Sequence, residues 1–159
     1  MSGRPNALKG KYQPVNEDKY KGNIDNIVFR SSWELMFCKF LDGNTNVKYW
    51  SSESVVISYI SPKDNLPHRY FPDFLVTFTD GTKVLIEVKP YAESIPPKEQ
   101  KRKTAQYLEK WMTFAVNQAK WASAREYCKK YGMTFQVFTE HELKSIGIPM
   151  IKTPLSPKK

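Results

Sequence analysis

The sequence predicts an α/β fold, a single domain with a mixed central β-sheet flanked by helices in the order α-β-β-β-β-α-β-α. Three observations predict it. Helical and strand periodicities alternate along the chain. An Asp-Gly pair joins two apolar runs in the manner of a hairpin. A length of 159 residues with 40% apolar content is enough to bury one core but short for two.

Residues 1–26 are rich in Gly, Pro, Asn, Lys and Tyr without sustained periodicity. They read as an extended basic arm ahead of a domain over 27–150 and a basic tail over 151–159. Ser31-Ser32-Trp33-Glu34 is a capping-box pattern, and Trp33, Met36, Phe37, Phe40 and Leu41 continue it at helical spacing until Asp42-Gly43-Asn44. Strands follow over 47–50, 55–60, 69–78 and 83–89, each rich in β-branched and aromatic residues. With Asp80 and Gly81 as the two central turn residues, Thr79 faces Thr82, Phe74 faces Glu87 and Asp73 faces Val88. Pro90, Pro96 and Pro97 forbid continued strand, so 91–103 is a loop. A helix over 104–130 follows, with Leu108, Trp111, Ala115, Ala119 and Ala122 as its apolar stripe and Gly132 as its stop. A buried strand over 133–139 leads to a second capping box, Thr139 to Glu142, whose helix Gly147 and Pro149 end. The four tryptophans suit the core better than a base-stacking role. Cys38 and Cys128 match no metal or redox spacing and read as buried free thiols.

The net charge of +9 is localised. Arg4, Lys9, Lys11, Lys19 and Lys21 outnumber Glu17 and Asp18 in the arm. Lys98, Lys101, Arg102 and Lys103 outnumber Glu99 in the loop, and Lys152, Lys158 and Lys159 lie in the tail. The rest of the chain is balanced. Basic arms around a neutral body are the footprint of phosphate-backbone contact, although solvated ends also collect lysine for solubility. On this basis Lys9, Lys11, Lys98, Lys101, Arg102 and Lys103 are candidate DNA contacts, with Arg69, which alternates with Tyr70 on the strand that carries Asp73, added to them. No apolar run of ~18 residues and no secretory pattern is present, which predicts a soluble cytoplasmic protein without membrane partners.

The chemistry concentrates in one hairpin. Pro72-Asp73-Phe74 lies in one strand and Glu87-Val88-Lys89 ends its neighbour. Glu87 and Lys89 are two apart, so the pleat directs both to one face and Val88 to the other. Val84-Leu85-Ile86 makes this a buried strand, where a carboxylate and an ammonium need partners or a metal. Two converging carboxylates without a Cys/His cluster suit a hard divalent cation, Mg²⁺ with Mn²⁺ able to substitute. The expected chemistry is hydrolysis of a phosphodiester, with Asp73 and Glu87 as metal ligands and Lys89 acting on the water or on transition-state charge.

These residues resemble the signature of the PD-(D/E)XK nucleases. The resemblance extends to Arg30-Ser31-Ser32-Trp33-Glu34, Trp50-Ser51-Ser52-Glu53, His68 to Phe74 and Ile86 to Pro90, an ordered set similar to the head completion nucleases of T-even-like tailed bacteriophages. That family is in turn similar to the N-terminal nuclease domain of the TnsA transposition endonuclease. The resemblance implies a restriction-endonuclease-like fold and a further active-site carboxylate and metal ligand at Glu34. It also implies a role on packaged phage DNA before tail attachment, in the infected host cell or the virion, with head or neck proteins as partners. Two other readings stay open: a catalytically silent DNA-end-binding or neck-assembly protein, and an endonuclease of the resolvase or transposition kind. Each residue also has a plain structural reading. Glu34 can serve only as a helix cap, Glu87 and Lys89 as an edge ion pair, and His68 and His141 as surface histidines. Asn117, Gln118 and Lys120 fit either a solvated helix face or the site.

Overall fold

The computed structural model describes residues 9–148. Arg4, the three tail lysines and Pro149 therefore lie outside the described residues.

The first helix, α1 (Ser32–Gly43), starts where the capping residues put it: Ser31 Oγ accepts from the Glu34 N–H at 3.2 Å. Glu34 reaches back one residue further than a capping box requires, accepting from the Arg30 N–H at 3.0 Å. The N-terminal segment forms a small ribbon from β1 (Gly10–Lys11) and β2 (Val28–Phe29). The central sheet takes β3 (Val47–Ser52), β6 (Phe74–Phe78), β7 (Lys83–Val88) and β8 (Thr134–Phe138) in the spatial order β3-β6-β7-β8. The first two neighbour pairs are antiparallel and β7–β8 is parallel, so the sheet is mixed, as expected. A separate hairpin joins β4 (Ile57–Ile60) to β5 (Pro67–Tyr70). The long helix α2 (Ala105–Lys130) and the short helix α3 (Glu140–Ser145) complete the fold, α3 with the full Thr139–Glu142 capping box.

A core lies on each face of the sheet. On one side Trp33, Phe37 and Leu41 of α1 pack with Trp50, Phe74, Val76, Ile86 and Val88. On the other, Trp121, Ala124 and Cys128 of α2 pack with Leu85, Ile57, Tyr59 and Tyr70. Strand β7 is thus apolar on both faces, with Leu85 and Ile86 in opposite cores. Both cysteines are buried free thiols.

Four expectations are corrected. The run over 69–78 is two strands in two sheets. Pro72 has no N–H for a ladder, so pairing stops around it and the chain crosses from the β4–β5 hairpin to the central sheet. The loop after β6 has three residues: Phe78 N–H donates to the Thr82 carbonyl at 2.9 Å and Gly81 N–H to the Phe78 carbonyl at 2.9 Å. Gly81 takes the left-handed conformation such a loop needs, at φ +92°, and Asp80 Oδ1 accepts from both the N–H and the hydroxyl of Thr82. The register therefore slips by one from the two-residue turn, pairing Phe74 with Ile86; continued one step, it sets Asp73 against Glu87 rather than Val88.

The segment expected to be an extended arm is packed on the body within its described part. Tyr12 and Tyr20 enter the core, Lys21 N–H donates to the Trp50 carbonyl at 2.8 Å, and Asp42 ties down residues 12–19. Finally, the stripe of α2 that faces the core is Asn117, Trp121, Ala124 and Cys128. Leu108 and Trp111 are exposed, because the elements that cover α2, chiefly β4 and β8, meet its C-terminal half. Trp33, Trp50 and Trp121 are core residues and Trp111 is not.

Candidate active site

Residues Glu34, Asp73, Glu87 and Lys89 line one cleft of about 160 Å³, together with Ser31, Trp33, Val88 and Pro90. Three elements build it. The N-terminus of α1 contributes Glu34, the residue just ahead of β6 is Asp73, and the end of β7 carries Glu87 and Lys89. Pro90 follows immediately, so the strand stops at the lysine.

Asp73 and Glu34 are half used, whereas both oxygens of Glu87 have partners. Asp73 Oδ2 accepts from the Val88 N–H at 2.8 Å, which is the ladder-like consequence of the slipped register. Glu87 Oε1 accepts from the Tyr70 hydroxyl at 2.7 Å, while its Oε2 lies 3.7 Å from Lys89 Nζ. Glu34 Oε1 is occupied by the Arg30 N–H. The second oxygens of Asp73 and Glu34 have no hydrogen bond among the described residues. Glu53, a non-glycine residue at φ +52°, helps fix this arrangement: its N–H donates to the Asp73 carbonyl at 3.0 Å and its carboxylate pairs with Arg30.

The electrostatics are those of crowded negative charge. Burial, then the charges of Glu87 and Glu34, push the Asp73 carboxyl well above the usual range, and the Val88 N–H and Lys89 offset this only in part. Burial also raises Glu87 against the pull of Lys89, Tyr70 and Lys120, and raises Glu34 against that of Arg30. The Tyr70 phenol is driven up by burial and by Glu87 beside it.

Among the described residues no group of three or more His, Cys, Asp or Glu side chains is already gathered as a metal cluster. The donor chemistry nevertheless fits a hard divalent cation. Oxygens are the only charged acceptors in the cleft, two of them are unbonded, and Lys89 is the one cation among the residues that line it. Asp73, Glu87 and Glu34 are the residues that could hold such an ion.

The expected basic contacts lie elsewhere. Arg69 is exposed on β5 with its guanidinium 5.7 Å from the Phe71 ring, and does not line the cleft. Lys98, Lys101, Arg102 and Lys103 form an exposed loop, Lys103 turning back to the Gln100 carbonyl at 2.8 Å. Lys9 and Lys11 are exposed on the N-terminal ribbon. His68 pairs with Asp64 inside its own hairpin, and the His141 ring centre lies 4.7 Å from that of Tyr91, tilted by 46°, at a second cleft. Two residues near the site, Tyr70 and Glu53, carry no site signal in the sequence, and Lys120 fits a solvated helix face equally well. Tyr70 stood within the His68-to-Phe74 block but gave no signal of its own, since its reach to Glu87 depends on the crossing between hairpin and sheet.

A family model described as TnsA-like endonuclease N terminal matches residues 44–140, the span that holds Asp73, Glu87, Lys89 and Lys120. The head completion nuclease of Enterobacteria phage T4 is 34% identical over 145 residues, covering 89% of this chain and 97% of that protein. No solved structure matches. With more than half of the chain under the family model and most of its length aligned to the phage protein, the chain belongs to the TnsA-like endonuclease N-terminal family and is a relative of a phage head completion nuclease.

Proposed function

We propose that this chain is a metal-dependent DNA endonuclease that hydrolyses phosphodiester bonds, with Asp73, Glu87 and Glu34 holding Mg²⁺ and Lys89 acting on the reacting groups. The observation that carries the reading is the convergence of three carboxylates, two of them half-satisfied, and a lysine on one cleft at the end of β7. A divalent ion bound there supplies Lewis-acid polarisation of the phosphate and lowers the pKa of water. Lys89, held 3.7 Å from Glu87, keeps its ammonium at the cleft, where it orients the water and offsets charge building on phosphorus. Water oxygen bonds to phosphorus, the bond from phosphorus to the 3′ oxygen breaks with its electron pair, and that oxygen takes up a proton while the water loses one. Tyr70 keeps Glu87 Oε1 occupied and so presents Oε2.

The phage relative is named for head completion, which supports completion of a virus head as the setting; in our reading the chain processes packaged DNA ends in the infected host cell, with head or neck proteins as partners. In this reading residues 27–150 carry catalysis. The exposed Lys9, Lys11, Arg69, Lys98, Lys101, Arg102 and Lys103 follow the DNA backbone outside the cleft. The test is incubation of the protein with linear, circular, single-stranded and branched DNA in Mg²⁺, Mn²⁺ or EDTA. Cleavage requires the metal, and Lys89→Ala lowers it by roughly 10²–10⁴-fold while folding and DNA affinity persist. Metal-independent cutting, or full activity in Lys89→Ala, overturns the reading.

A further inference from the structure

Helix α2 brings a second lysine toward the cleft from the face that Glu87 and Lys89 share. Lys120 is half-buried, its Nζ 5.5 Å from the Tyr70 ring centre and 5.9 Å from that of Tyr59. The two rings come from the two strands of the β4–β5 hairpin, so the ammonium is flanked by aromatic faces whose negative quadrupoles favour a cation. Tyr70 is the same residue that donates to Glu87 at 2.7 Å, which ties the position of Lys120 to the cleft. Burial, and then the charge of Lys89, hold the pKa of the Lys120 ammonium below the ordinary lysine value, although Glu87 and Asp73 attract it. The ion pair of Glu87 is nevertheless with Lys89, at 3.7 Å, and Lys120 has neither a hydrogen bond nor an ion pair among the described residues.

A half-buried ammonium has three donors and a desolvation cost that an aromatic cage offsets only in part. Glu87 does not supply what is missing, because one of its oxygens bonds Tyr70 and the other faces Lys89. Lys120 is also absent from the lining of the cleft, so it stands beside the reacting position rather than in it. The group that would satisfy it must be anionic, offer oxygen acceptors, and lie next to a bound phosphodiester. A neighbouring phosphate of the same strand meets all three conditions.

We propose that Lys120, flanked by Tyr59 and Tyr70, is a binding residue for a phosphate adjacent to the scissile phosphodiester. The proposal rests on the nuclease reading and deepens it: DNA passes over the α2 rim of the cleft, with Lys89 at the cut and Lys120 on its flank.

The experiment measures affinity for a short duplex as a function of NaCl, with Ca²⁺ in place of Mg²⁺ to suppress cutting, followed by steady-state cleavage in Mg²⁺. Wild-type protein that neither binds nor cuts DNA overturns the nuclease reading itself. Given a binding and cutting wild type, Lys120→Met gives a slope of log affinity against log salt shallower by about 0.9, the contribution of one phosphate. Its cleavage loss falls more on KM than on kcat, and Lys120→Arg restores the slope. If Lys120→Met melts well below wild type, Lys120→Gln, which keeps a polar end, provides the same comparison. A wild-type slope in the folded variant overturns the proposal. So does a fall in kcat with slope and KM unchanged, since that assigns Lys120 only to balancing the charge of Glu87.

Discussion

Asp42 and Asp73 are aspartates withdrawn from water near the ends of their elements, and their surroundings are opposite. Asp42, at 2% exposure, accepts from the Tyr12 hydroxyl at 2.6 Å, the Val15 N–H at 2.7 Å and the Asn16 N–H at 3.0 Å. Lys19 adds its charge nearby, bonding the carbonyls of Asp42 and Asn44. Burial pushes the Asp42 carboxyl up, but those donors and Lys19 outweigh it and hold it below its ordinary value. Asp73 has one backbone donor and two carboxylate neighbours, and is held above it. The first is a saturated structural carboxylate that fastens residues 12–19 to α1. The second keeps an unused oxygen and an unrelieved charge, the condition in which a carboxylate has capacity left for a cation.

Removing each aspartate should therefore damage different things. Asp73→Asn should lower metal-dependent cleavage by about 10³-fold or more, since loss of a ligand removes several kcal/mol of transition-state stabilisation. Asp42→Asn should leave cleavage close to wild type when the protein is assayed well below its melting temperature. Equal losses in the two variants would erase the distinction. On stability the order reverses. Asp42→Ala strands the buried Tyr12 hydroxyl and the part-buried N–H groups of Val15 and Asn16, and a buried donor left unsatisfied costs about 1–3 kcal/mol, so a loss of about 2 kcal/mol or more in denaturant unfolding is expected. A loss under ~1 kcal/mol would mean that the N-terminal segment holds without its pin.

Metal sharpens the comparison further. At a hundredfold excess of Mn²⁺ over its dissociation constant, wild type should gain about 2.7 kcal/mol, because the ion binds the folded state. Asp42→Asn should keep that gain and Asp73→Asn should lose most of it. A full gain in Asp73→Asn would make Asp73 a structural residue and no ligand.

How much of this was legible in the sequence follows from the range of the interactions. Short-range chemistry reads well: the Ser31 and Thr139 caps, the Gly132 stop and the facing of Glu87 and Lys89 depend on neighbours within four residues. The hairpin register failed by one because an Asp-Gly pair serves both two- and three-residue loops, and the choice is made by the Asp80 bonds to Thr82. The site gained from that slip, since it brings Asp73 level with Glu87. In the sequence Asp42 is part of a helix stop, and its hold on Val15 spans 27 residues with no local mark. Likewise Leu108 and Trp111 have the spacing of a core stripe, yet what covers a helix is decided by elements far away in sequence.

The smallest expected effect separates the two aspartates by sign. Without metal, the native-state pKa values of Asp73, Glu87 and Glu34 are raised, so between the ordinary carboxylate range and those raised values the native state holds more protons than the unfolded chain. Stability must then fall as pH rises through that window, and the penalty is complete above it. Asp42 has a lowered native pKa, so its contribution is fully present above the ordinary range and is lost as pH falls through the depressed value. In EDTA at neutral pH, Asp73→Asn should consequently melt at or above wild type, because the amide keeps the Val88 N–H satisfied and removes one of the crowded charges. On acidification toward the ordinary carboxylate range that advantage should shrink, as protonation relieves wild type of the same repulsion. Asp42→Asn should melt below wild type at neutral pH, and its deficit should narrow only in more acidic solution. Melting temperatures of the three proteins across this range decide it. An Asp73→Asn advantage that stays constant or widens on acidification would mean that the three carboxylates do not strain one another in the folded protein.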